Sequence, residues 1–167
     1  LTSGLGTLKG PLHGGASERA IEIFERVDDI AEIEEYIDGM LNSGKRIMGF
    51  GHRVYKTEDP RARLLREHAL SLCRSSGLME LAEQAEHVEA LVLAKKGIFP
   101  NVDFYSGIVQ HALGIPKTYT TAIFACARTA GWLAHIREQY GDNRLIRPTS
   151  DYIGPKNRTA VPIEQRS

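Results

Sequence analysis

Cysteine is scarce in this 167-residue chain: Cys73 and Cys126 stand far apart and outside any CxxC pair. Both fall on apolar stretches with helical spacing, which points to buried, reduced thiols in an intracellular protein. Charge of one sign is lacking too, since 21 basic residues balance 21 acidic ones. That argues against broad nucleic-acid binding, which needs a basic excess, but leaves room for a local arginine cluster facing a small anion. No apolar run approaches the roughly 18–20 residues of a membrane span, and no signal-peptide pattern opens the chain. Repeats, low-complexity tracts and a series of strands are also missing. No HxxxH or HExxH spacing links the histidines, so no metal is expected. No GxSxG elbow or Walker A loop occurs.

What the sequence does contain is helical periodicity, and it predicts an all-α fold. Residues 1–16, with five glycines and one proline, read as a loop. Ser17 is placed to cap a helix carrying Ile21, Ile23, Phe24 and Val27. A second helix runs over about 29–41 and ends at Asn42-Ser43-Gly44. Asp59-Pro60 is a strong start signal, with Asp as N-cap and Pro in the first helical position. That helix stops near Gly77. The next spans about 78–96, with Lys95 and Lys96 suiting the dipole at its end. Asp103 is placed to cap a helix over 104–113, and Gly114-Ile115-Pro116 breaks the chain. A long helix from about Thr118 to Tyr140 is apolar around much of its circumference, as in a core or a subunit interface. From Arg144 onward the chain has three prolines and no period, which reads as an extended arm.

Three islands carry the chemistry: GPLHGGA at 10–16, GFGHRVY at 49–55 and PNVDFYSG at 100–107. Each sets a histidine or an aspartate among small or turn-forming residues, where backbone can approach a ligand closely. His13, His52 and Asp103 together form a set suited to general acid–base catalysis. Each also has a plainer role: His13 in a capping loop, His52 in a solvated basic turn beside Arg53, Lys56 and Arg61, and Asp103 as a helix cap. The Gly-x-Gly before His52 lacks the strand and helix of a dinucleotide fingerprint. Arg128 lies on an otherwise apolar helical stretch, where a buried guanidinium demands an anionic partner. Arg147 reads as a surface residue of the tail.

Taken jointly, these islands resemble the citrate synthase family. The resemblance rests on five ordered motifs: GPLHGGA at 10–16, GFGHRVYKTEDPRA at 49–62, NVDFYSG at 101–107, Arg128-x-x-Gly-Trp132, and RPTSDYIGP at 147–155. The form resembles the shorter prokaryotic type, which includes 2-methylcitrate synthases. It implies an all-helical, cytoplasmic homodimer acting as an acyltransferase of the tricarboxylic acid cycle. Such an enzyme condenses acetyl-CoA with oxaloacetate and hydrolyses citryl-CoA to citrate and CoA. No cofactor is implied, since acetyl-CoA is a co-substrate. By position in the motifs, His13 stabilises the enol of the thioester, Asp103 is the general base and His52 polarises the ketone. Arg61, Arg128 and Arg147 bind substrate carboxylates, Arg147 from across the dimer. Gly49, Phe50, Gly51, Lys56 and Asn101 line the acyl-CoA site.

The family's large domain lies mostly before the His13 motif. The chain also begins at Leu1, directly ahead of a glycine-rich loop. Residues 1–13 are therefore expected to be a large-domain segment, 14–114 a small acyl-CoA-binding domain, and 115–167 the end of the large domain with a tail arm. A fragment of this kind is expected to be inactive alone. A 2-methylcitrate synthase using propionyl-CoA is the alternative within the family. Outside it stands a non-catalytic helical module that binds CoA or another anion, with no membrane or nucleic-acid partner.

Overall fold

The computed structural model describes residues 1–10, 15–27 and 29–166. Local signals set most of the helices. Asp59 starts α4 (Pro60–Ser75): its carboxylate accepts from the Arg61 amide, and Pro60 takes a position that needs no N–H. Asp29 does the same for α3 (Ile30–Asn42) through the Ala31 amide at 3.1 Å. Gly97, at φ 64°, closes α5 (Met79–Lys96) after its two terminal lysines. The remaining long elements are α1 (Thr2–Lys9), α2 (Ala16–Arg26), α6 (Val102–Ala112) and α7 (Thr120–Gly141). Single 3-10 turns occur at Lys117–Tyr119 and Ile163–Gln165. The fold is all-α: among the described residues the one β feature is an isolated bridge between Phe50 and Pro100.

The core is built by α2 to α6. Ile21 and Ile23 meet Ile33, Ile37, Cys73, Val88, Val92, Phe104 and Ile108, all nearly or fully excluded from solvent. Helix α6 packs against both α4 and α2, with Phe104 and Tyr105 at 0 % exposure in its first turns. Helix α7 lies outside this core and touches α1, α2 and the turn before it. No helix among the described residues is long and apolar enough to cross a membrane.

Several sequence expectations are corrected. Part of the expected N-terminal loop is α1, despite two glycines at about 1 kcal/mol each in a helix. A Cβ on Gly4 would stand 3.0 Å from the Trp132 ring, so the glycine lets α1 lie directly on α7, and Leu8 is buried beside it. Helix α2 begins at Ala16 behind a left-handed Gly15, which puts Ser17 inside the helix and not at its cap. Asn101, not Asp103, caps α6: its Oδ1 accepts from the Asp103 amide at 2.9 Å, so Asp103 sits in the first turn. Of the two placements the sequence offers for α7, a core or a subunit interface, the core of this chain is not the one observed, for only Thr120 and Ala125 are excluded from solvent. Cys126 and Arg128 on α7 are consequently exposed, whereas Cys73 is buried as expected. The segment after Arg144 is extended and exposed, as the sequence predicts.

Two loops join before α6. The Asn101 amide donates to the Gly49 carbonyl at 2.8 Å, and the Gly51 amide to the Phe99 carbonyl at 2.9 Å. The Asn101 side-chain amide also donates to the Gly51 carbonyl at 2.8 Å. Gly49 stands at φ +85°, and a Cβ there would lie 2.9 Å from Phe104 Cβ and 3.0 Å from its Cα. Gly77 has a similar φ of +73° with open space around it. Gly77→Ala should therefore lose only about 1–2 kcal/mol of stability, to conformational strain. Gly49→Ala adds about 1–3 kcal/mol of overpacking. Urea unfolding of the two variants checks this, and equal losses would remove the case for close packing at Gly49.

Candidate active site

The joined loops open one side of a cleft of about 830 Å³. Its walls are the 44–53 segment, the first turn of α6, Arg61 from α4, and Phe124 and Arg128 from α7. His52 and Asp103, 51 positions apart, thus face one space. Gly49, Phe50, Gly51 and Asn101 line it as well. Phe50 rests on Phe104 with ring centroids 4.8 Å apart, which fixes the loop to the core. Both polar groups of the Asn101 side chain are engaged, one capping α6 and one holding Gly51.

The backbone sets the tautomer of His52. Its Nδ1 accepts from the Val54 amide at 3.1 Å and the Tyr55 amide at 3.0 Å. In the neutral ring the proton therefore sits on Nε2. Arg61 Nη2 lies 3.2 Å from that Nε2. Both atoms are then donors, so they do not satisfy one another. An oxygen placed between them would accept from both.

Arg61 is itself held by Asp59, which is 1 % exposed. Asp59 Oδ1 accepts from Arg61 Nε at 3.0 Å and Oδ2 from Nη2 at 2.8 Å, a two-pronged pair. Hydrogen bonding from Arg61 holds the Asp59 carboxyl below its ordinary pKa, against the opposing effect of burial. The Arg61 pKa is raised, first by its hydrogen bond to Asp59, with smaller support from Tyr55 and Asp103. Arg128 stacks its guanidinium over Phe124 at 5.1 Å, exposed at the cleft wall. Arg128 is not buried as its apolar stretch suggests, and at the cleft wall it is placed to meet a ligand carboxylate.

Not every expected residue joins this cleft. Lys56 is exposed, directs Nζ to the Arg53 carbonyl at 3.5 Å and is not part of the lining. Arg147 lies on the exposed tail, away from the cleft of its own chain. His13 falls outside the described residues. Conversely, the sequence marks Asp59 as a cap but not as the clamp of Arg61, and no motif points to Lys45, Arg46 and Lys96, which line the cleft. Residues 43–57 contain no acidic residue and four Lys or Arg, a signal that would have marked the segment. Among the described residues no His, Cys, Asp or Glu group is arranged to hold a metal ion.

Residues 1–149 match the family model for the citrate synthase C-terminal domain. The chain belongs to the citrate synthase family. It is 47 % identical over its whole length to citrate synthase 2 of Bacillus subtilis, of which it covers 45 %. A 2-methylcitrate synthase of Shewanella oneidensis is 40 % identical over 99 % of the chain, which covers 44 % of that relative. Among solved structures, citrate synthase of Thermoplasma acidophilum in a ternary complex with carboxymethyl coenzyme A and oxaloacetate superposes with a TM-score of 0.84. It is 44 % identical over 95 % of this chain and 44 % of that one. The chain therefore spans somewhat under half the length of these citrate synthase family members.

Because the folded pKa of Asp59 is depressed, its ion pair stabilises the fold above the ordinary value of 3.8. That contribution is lost as pH falls through the folded pKa. Asp59→Asn, which keeps a capping side chain, should be less stable at pH 7. It should approach the parent's stability below about pH 4, near the unfolded carboxylate pKa. Urea midpoints across pH check this; curves that stay parallel would contradict it.

Proposed function

We propose that this chain supplies catalytic and substrate-binding side chains of a citrate synthase active site. The reaction is condensation of acetyl-CoA with oxaloacetate, followed by hydrolysis of citryl-CoA to citrate and CoA. The observation that carries this reading is the convergence of His52 Nε2 and Arg61 Nη2, 3.2 Å apart, on the cleft that Asp103 lines. Ketone activation beside a carboxylate needs such a neighbouring pair of donors.

Asp103 takes a proton from the acetyl methyl group, and His13 donates a hydrogen bond to the thioester oxygen to stabilise the enol. The enol carbon bonds to the ketone carbon of oxaloacetate. His52 Nε2–H gives its proton to the developing alkoxide. Water then cleaves the thioester, releasing CoA. Arg61 and Arg128 hold the dicarboxylate as planar forks, a geometry lysine does not reproduce. Arg147 serves the site of a partner protomer in a homodimer; it is exposed and does not line the cleft of its own chain. Gly49, Phe50, Gly51 and Asn101 contact the acyl-CoA, and Lys56 faces its phosphates. The chemistry requires no cofactor, and the enzyme is a cytoplasmic acyltransferase that converts the acyl group to alkyl on transfer. Residues 14–114 form the small domain, in agreement with a core drawn from α2 to α6, and 115–167 close the large domain. The 2-methylcitrate relative favours one further reading, use of propionyl-CoA.

In the full-length protein that carries this chain, Asp103→Asn should lower kcat by about 10²–10⁴-fold, the usual contribution of a positioned base. Unchanged condensation would remove Asp103 as the base and leave this chain only a CoA- or anion-binding part in the reaction. The 167-residue chain alone should show no turnover. The ratio of kcat/KM for acetyl-CoA and propionyl-CoA decides the acyl preference, and one methylene is expected to shift it about 10–200-fold.

A further inference from the structure

Behind the cleft lies a polar cluster that the catalytic reading leaves unused. Tyr105 on α6 is fully excluded from solvent, and its hydroxyl donates to Glu89 Oε2 on α5. The same oxygen accepts from Arg66 Nε on α4 at 3.1 Å. Arg66 also pairs with Glu86, one turn earlier on α5. Burial and the Glu89 carboxylate raise the Tyr105 pKa, so the phenol stays a donor. Three helices are thereby joined through one hydrogen-bonded unit.

Its placement matters because α4 and α6 carry the charged groups of the site. Arg61 is in the first turn of α4, with Arg66 five residues on. Asp103 is in the first turn of α6, with Tyr105 two residues on. At about 100° per helical residue, positions 103 and 105 point to opposite sides. Helix α6 thus turns Asp103 to the cleft and Tyr105 toward the α4–α5 face. Apolar packing is non-directional and fixes the angle of a helix about its axis less sharply than a polar contact does. Hydrogen bonds to a fixed carboxylate are directional and admit one register.

We propose that Tyr105, with Glu89 and Arg66, is a positioning unit that sets Asp103 against Arg61 from the rear of the cleft. The inference rests on the citrate synthase reading above. It predicts that loss of the phenol hydroxyl harms the chemical step more than it harms folding.

The test uses the full-length protein, with Tyr105→Phe, Glu89→Gln and Glu89→Ala. Tyr105→Phe should lower kcat about tenfold, within the range set by small misplacements of reacting groups. Its KM for acetyl-CoA should change less than twofold, and it should remain folded well above the assay temperature. Amide hydrogen exchange at 102–104 should rise relative to that at 61–64. Glu89→Gln keeps an acceptor for the phenol and should recover most of the activity lost in Glu89→Ala; if the alanine variant does not fold, the other two suffice. A folded Tyr105→Phe variant with wild-type kcat and unchanged exchange at 102–104 would overturn the proposal. A wild-type protein without condensing activity would instead sink the catalytic reading, and the exchange comparison would still decide whether Tyr105 holds the first turn of α6.

Discussion

The site depends on the join between the Gly49–Gly51 loop and the Phe99–Asn101 segment. Two backbone hydrogen bonds, the Asn101 side chain and the close approach of Gly49 to Phe104 fasten two parts of the chain about 50 residues apart. Without that join, His52 and Asp103 belong to a loop and a helix with nothing to bring them together. With it, each stands at the edge of the same cleft. Asn101 serves both sides at once, because its side chain caps the helix bearing Asp103 and holds the loop bearing His52. The residue expected to contact acyl-CoA is therefore also a structural pin.

A second constraint acts on charge. Arg61 would be a mobile surface cation if Asp59 did not grip it from a buried position. Asp59 caps α4 with the same oxygen that accepts from Arg61 Nε. The start of the helix and the aim of the guanidinium are consequently one event. The two backbone amides on His52 Nδ1 perform the matching task for the imidazole, turning its Nε2 proton toward the cleft. Both devices orient donors before a ligand arrives, which is how electrostatic stabilisation avoids reorganisation during reaction.

Local signals made much of this legible. Asp59-Pro60, Gly97 and the apolar spacing of α3 to α6 act over a few residues, so the sequence predicts those helices well. Helix α1 is hidden in the sequence because the use of Gly4 lies in its close approach to Trp132, far along the chain. The cap of α6 was misplaced by two residues because Asn101 and Asp103 are both good capping types, and the loop join decides between them. Exposure of Arg128 and Cys126 depends on what covers α7, which periodicity cannot report. The clamp of Arg61 by Asp59 was obscured because one residue fills two roles, and the cap alone accounted for it. The family resemblance, resting on joint order of motifs, reached further than any single island.

The most direct test is a crystal structure of the full-length protein with oxaloacetate and a non-reactive CoA thioether. The account predicts that the ketone oxygen lies about 2.7–3.2 Å from His52 Nε2. A ligand carboxylate should contact Arg61, and the thioether methylene should face the Asp103 carboxylate. A ketone oxygen held by other groups, with His52 and Asp103 turned away from the ligands, would contradict it.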